Sequence, residues 1–249
     1  MSQNSLWNNI VAICILFAIW QFLSMYISVS LILPDVYSVI SALIGLFCTI
    51  KFWNSFAHTI ITLLGGYIIG LFLTFSIVVI IIKNIFLQRL FEKYSTIFMP
   101  MPSFVVLPFI SLFFGLSLTT VYIMIVWSVL WISGIQILRA IQNVSRLWEP
   151  HVKNIGWSFG FALRHVYLPA AISNIIGIIS TSWANSWRIL ISIETVFGSI
   201  GGYFGLGSYI MDTKSKLDVD QMYATLFVIA TSGVIIDNIL KYYKNKYSY

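Results

Sequence analysis

The sequence predicts an all-α membrane protein with six transmembrane helices and both termini in the cytoplasm. Three observations lead there. Hydrophobic residues make up 59% of the 249 residues and charged residues 9%, with a mean hydropathy of +0.92; soluble domains carry roughly 25% charged residues. Apolar runs recur at the ~20-residue length that crosses a ~30 Å hydrocarbon core, and in lipid such runs satisfy their backbone groups only as helices or closed barrels. The ~10-residue alternating strands of a barrel are not written in the sequence. With the N-terminus inside, ten of the fourteen Lys and Arg residues, among them Lys83, Arg89, Arg139, Arg146, Lys153 and Arg164, fall on the cytoplasmic side. Lys51, Arg188, Lys214 and Lys216 fall opposite. That asymmetry is the positive-inside pattern, and together with anionic lipid it accounts for the net charge of +6 without a nucleic-acid patch.

The first span is expected over 9–29. No Lys or Arg precedes Trp7 and the run exceeds a signal's apolar region, so a cleaved signal is not expected. Leu33–Pro34 stops that helix, because the residue before a proline leaves helical geometry. The short apolar stretch 33–53 then reads as an interfacial helix, with a seventh span as the alternative. The second span, 56–82, carries Gly65, Gly66 and Gly70, small residues that let helices approach closely. The third, 96–116, holds Pro100, Pro102 and Pro108; each removes an amide donor, which marks either a translocation-path hinge or a plain entry kink. The fourth is expected over 119–138, with Gln136 and Arg139 at its inner end as candidate gate residues or as packing and snorkelling groups. The fifth is expected over 167–193 and the sixth over 221–240, where Asp237 and Lys241 stand at i,i+4 spacing. Between these last two, 198–220 reads as a glycine-rich outer loop, either a docking surface for an extracytoplasmic partner or merely solvated.

Several chemistries are missing. No GxxxxGK[ST] phosphate loop occurs, His58, His151 and His165 have no metal-ligand spacing, and Cys14 and Cys48 form no CxxC pair. No enzyme activity, metal or cofactor is expected in this chain. Carboxylates deep in the spans, which a proton- or sodium-coupled carrier needs, are absent except for Asp237 near an inner end. With no long soluble domain at either end, the expected energy source is another subunit. Arg188 and Glu194 lie six residues apart, about 240° around a helix, and do not pair along one face. Arg188 either meets an anion with its planar fork or snorkels to headgroups.

The polar segment 149–169, EPHVKNIGWSFGFALRHVYLP, reads as a cytoplasmic coupling element. Glu149 and Pro150 suit the start of a short helix, Gly156 allows a tight bend or a close approach, and Leu168–Pro169 turns the chain into the fifth span. An ordinary basic loop is the plainer alternative.

The segment resembles the EAA loop of binding-protein-dependent ABC importer permeases, with Glu149, Gly156, Leu168 and Pro169 at that motif's positions and Pro150 and His151 in place of its two alanines. The resemblance extends along nearly the whole chain and is closest to the nitrate, sulfonate and taurine group. Leu33–Pro34, the run PSFVVLPFISLFFGLS, Trp187 and Glu194 as W-x6-E, Gly205-Leu206-Gly207, and IIDNILKYYKNK follow one another in that group's order. The resemblance implies a type I ABC importer permease fold in a single domain over 1–249, with a core over 56–246 and a coupling loop over about 139–166. It also implies a second permease copy or paralogue, cytoplasmic ATPase subunits that hold the ATP and magnesium, an extracytoplasmic binding protein, and a bacterial inner membrane. Candidate substrate-path residues are Arg188, Trp187, Glu194, Gln136, Pro102 and Pro108, for a small anionic solute such as nitrate, a sulfonate or taurine. A secondary carrier, or a permease for a neutral or cationic solute such as a thiamine pyrimidine precursor, is the alternative.

Overall fold

Apolar runs become helices because an isolated chain segment in hydrocarbon closes its own hydrogen bonds in no other way. The structure, a computed structural model, describes residues 3–198 and 204–247. Its helices are α1 (Gln3–Ile27), α2 (Val36–Phe47), α3 (Ile50–Ile81), α4 (Ile85–Phe98), α5 (Ser103–Phe114), α6 (Leu118–Ile155), α7 (Phe159–Ala162), α8 (Leu168–Phe197), α9 (Leu206–Ser215) and α10 (Val219–Tyr247), and the π-helical stretch Leu163–Tyr167 joins α7 to α8. No strand occurs among the described residues. Among the described residues, four stretches are long and apolar enough to cross a membrane: Ile50–Ile81, Leu118–Ile155, Phe159–Phe197 and Val219–Tyr242.

Three boundaries differ from expectation. The third span, 96–116, is not one helix: α4 ends at Phe98 and α5 starts at Ser103, because Pro100 and Pro102 bring no amide hydrogens and Pro102 takes an extended backbone at the α5 N-cap. The fourth does not end at 138; α6 runs on to Ile155, and its 38 residues reach about 57 Å, well beyond a hydrocarbon core. The expected loop over 198–220 contains the helix α9, while its glycines Gly201 and Gly202 lie outside the described residues. The stretch 33–53 holds α2, whose 12 residues span only about 18 Å and do not reach across.

The chain divides into two compact units. In the first, from Met1–His58, Glu194–Ser199 and Phe204–Thr231, the Leu33–Pro34 stop is anchored: Trp20 Nε1 donates to Pro34 O at 3.0 Å, Ser24 Oγ to Leu33 O at 3.1 Å, and Val36 N to Gln21 Oε1 at 3.1 Å. Asp35 caps α2 by accepting from Ser38 N. Lys51 and Lys216 both contact Asp212 Oδ2 at 2.8 Å, and Lys51 Nζ lies 4.6 Å from the Phe204 ring centroid. Hydrogen bonds from Lys216 and then Lys51 hold the Asp212 carboxyl below the usual aspartate value of 3.8.

In the second unit, α3 meets α6 along the expected glycine seam. A Cβ on Gly66 would lie 2.9 Å from Ile125 Cδ1 and one on Gly70 3.1 Å from Val129 Cβ. Gly134 leaves room for the Phe91 ring, 2.8 Å from where its Cβ would be. Tyr67 on α3 donates to Ile179 O at 2.6 Å and shares a 2.7 Å hydrogen bond with Ser182 Oγ, both on α8. Asp237 and Lys241 form the expected pair at 2.6 Å.

Gly66→Leu is expected to destabilise the protein by about 1–3 kcal/mol by overpacking the α3–α6 seam, whereas Gly45→Ala, with nothing within 4 Å of the added Cβ, leaves the unfolding temperature in detergent unchanged or higher. Asp212→Asn is expected to lower that temperature at neutral pH. Because the folded carboxyl titrates below 3.8, its contribution is present above that value and fades as pH falls through the lower folded value, so wild type and variant should converge in acid.

Candidate functional site

Asn185, Arg188, Ile189 and Ser192 recur at helical spacing and form one stripe along α8. Opposite them stand Trp127, Ser128, Trp131 and Ile132 of α6, and the hollow between is closed by Phe98 and the proline break at Met99–Pro102. Its volume is about 280 Å³. Three rings pack together in the wall: Phe98 lies 4.8 Å from Trp131 and 5.0 Å from Trp127, and the two indoles are 5.7 Å apart. The lining holds no carboxylate, and no ion pair of Arg188 occurs among the described residues. Helix α5 opens at the same place, with Pro102 at its N-cap and no side-chain cap, so its positive end adds to the field of Arg188.

Of the six residues nominated from the sequence for the path, Arg188 and Pro102 line this hollow. Trp187 points elsewhere: it is buried, with its indole nitrogen 3.1 Å from where a Cβ on Gly233 would lie. Pro108 lies inside α5 and Gln136 is half-buried on α6, neither in the lining. Sequence reasoning missed Asn185, Ser192, Phe98, Trp127 and Trp131. The polar Asn185–Arg188–Ser192 stripe in an otherwise apolar helix was the signal for two of them; the aromatic wall left none.

Glu194 is fully buried at the N-terminal end of α9. Its Oε2 accepts from Gly207 N at 2.9 Å, which places a carboxylate where orphan helix amides and the dipole favour it. A Cβ on Gly205 would lie 2.2 Å from Glu194 Oε1, so any larger residue there must displace the hydrogen-bonded carboxylate. Ser208 Oγ donates to the Glu194 carbonyl at 3.2 Å and to that of Gly198.

The segment 149–169 is built differently from the expectation. Glu149 and Pro150 do not start a short helix; they lie inside α6, where Glu149 pairs with Lys153 at 2.7 Å. Gly156 ends α6 in the left-handed region at φ 78°, with its amide bonded to Lys153 O and Val152 O. Nothing lies within 4 Å of where its Cβ would be, so the conformation and not a close neighbour requires glycine. Ser158 caps α7 through Phe161 N. Leu168–Pro169 makes no turn, because helix is continuous over Phe159–Phe197. In the π-helical stretch Leu168 N donates to Leu163 O, and this widened turn absorbs the missing amide of Pro169. Around the Gly156 turn, Leu147, Trp148 and Ile155 are 73%, 47% and 62% exposed, with Trp157 and Phe161 beside them. A patch of exposed apolar side chains mixed with Arg146 and Lys153 fits a protein contact.

Residues 66–249 match the protein family described as "Binding-protein-dependent transport system inner membrane component". The chain is 24% identical over 237 residues to a protein described as an ABC transporter permease from Methanocaldococcus jannaschii, covering 92% of this chain and 86% of that one. Its fold is similar to a chain of the MetNI methionine ABC transporter solved in an inward-facing conformation, with a TM-score of 0.58 at 18% identity over 79% of this chain and 94% of the other.

Gly205→Ala is expected to cost about 1–3 kcal/mol or more of stability, since the methyl collides with the buried Glu194 carboxylate; the unfolding temperature of the purified protein checks this.

Proposed function

Since this chain belongs to the family of binding-protein-dependent transport system inner membrane components, we propose that it is the transmembrane permease subunit of an ATP-driven importer, moving a small anionic solute of the nitrate, sulfonate or taurine kind by alternating access. In this reading six segments cross the bilayer of a bacterial cell membrane, both ends are cytoplasmic, two permease copies or paralogues pair, and an extracytoplasmic binding protein delivers the solute. ATP and magnesium are held by separate ATPase subunits that dock on the exposed turn around Gly156.

The observation that carries the reading is the continuity of helix over Phe159–Phe197. The helix that begins beside the apolar docking turn is the one that presents Asn185, Arg188 and Ser192 to the hollow. When the ATPase subunits close on each other, a push on the segment after Gly156 reaches the solute-facing stripe through one element. The π-helical stretch with Pro169 is its least regular point and the natural place for a change of pitch. The ATPases then bias two global states of the permease, and solute affinity differs between them. Arg188 supplies the attraction for an anion, with Asn185 and Ser192 as neutral hydrogen-bonding groups. A secondary carrier would need a carboxylate that exchanges protons or sodium with water; Glu194 is fully buried against the Gly207 amide and does not offer that.

Purification of the tagged chain from its native membrane in mild detergent is expected to bring an ATPase with a phosphate loop in equal amount. Gly156→Asp should keep the fold, because aspartate tolerates the left-handed region better than most residues, yet lose the ATPase by placing a carboxylate in the apolar turn. A chain that purifies alone and transports without ATP would overturn the importer reading. Arg188→Gln is expected to lower uptake of the anion by about tenfold or more while basal ATP hydrolysis of the complex stays unchanged; equal uptake would remove the anion assignment.

A further inference from the structure

We infer that the hollow of α4, α6 and α8 selects a planar aromatic anion, a single ring bearing a sulfonate or carboxylate, so that this chain itself discriminates among solutes. The inference rests on the permease reading above and narrows its solute class. Two features of different chemistry face each other across about 280 Å³, close to the lower end of ordinary ligand sites. On one side Arg188 stands with Asn185 and Ser192, a planar cationic fork with neutral polar neighbours, beside the uncapped start of α5. That side suits an oxyanion. On the other side Phe98, Trp127 and Trp131 pack at tilted and edge-on angles of 35° to 73°. Trp131 is also held by Phe91, stacked at 5.6 Å, so the wall is braced from behind.

A small inorganic anion would use the first side and leave the second idle. An aliphatic sulfonate would use the second only as apolar surface. An aromatic ring gains the quadrupole interactions of offset or edge-to-face packing in addition to burial. A cationic ring is disfavoured, because the lining contains Arg188 and no carboxylate.

The test uses the complex as purified, in lipid nanodiscs, with three probes: benzenesulfonate, methanesulfonate and benzyl alcohol. Equilibrium binding is measured for each. Benzenesulfonate is expected to bind about tenfold more tightly than methanesulfonate and more tightly than benzyl alcohol. Trp127→Leu should remove most of the preference for the ring, and Trp127→Phe should retain it at an unchanged unfolding temperature. Arg188→Gln should remove the preference for benzenesulfonate over benzyl alcohol. Methanesulfonate binding as tightly as benzenesulfonate would overturn the aromatic inference and leave the anion reading standing. Benzyl alcohol binding as tightly as benzenesulfonate, with no effect of Arg188→Gln, would overturn the anion reading as well. If none of the three binds, the hollow is not a solute site and the inference fails.

Discussion

Every backbone amide that enters hydrocarbon must find its acceptor within the protein, and this chain's architecture follows from where that requirement is met by plain helix and where it is met by something else. Four long stretches meet it by plain helix or nearly so. Among the described residues, the departures of interest include the Met99–Pro102 break, the π-helical stretch Leu163–Tyr167, and the glycine-rich start of α9. Each departure is caused by residues that lack an amide hydrogen or a side chain, and each lies beside something of functional interest. The break lines the Arg188 hollow, the π-helical stretch links the exposed turn to α8, and the α9 start receives the Glu194 carboxylate.

The charged groups divide by the same logic. Pairs such as Glu149–Lys153 and Asp212 with its two lysines lie at partly exposed positions, where water shares the cost of the charge and each pair contributes modestly to stability. Glu194 is inside and is met by a backbone donor of α9. Arg188 differs from both classes, being an exposed cation on a membrane-length helix with no carboxylate in its hollow. A cation so placed carries a functional hypothesis, and it is the centre of the proposed solute site.

Coupling across such a protein does not need a long network of side chains. Phe159–Phe197 is one helical element, and rigid elements carry displacement between distant ends when both ends bias the same two states. In the proposed function the ATPase engages one end of this element and the solute meets the other.

Local patterns in the sequence by themselves determined much of this protein. The class came from composition. The helical runs, the Leu33–Pro34 stop, the Gly65–Gly70 seam and the Asp237–Lys241 pair came from spacings of a few residues, because the hydrogen bonds and contacts that make them are themselves local. Tertiary structure alone decided the rest. That α6 continues to Ile155, with Glu149 and Pro150 inside it, runs against the local penalty for a proline within a helix. That Trp187 turns toward Gly233 while Arg188, its neighbour, turns to the hollow is a matter of which helices flank α8. The Glu194 carboxylate meets glycines 11 and 13 residues further on, and Phe98 meets Trp127 and Trp131 from a different helix. No periodicity encodes such meetings, since they exist only once separate helices have been brought together and the space between them filled.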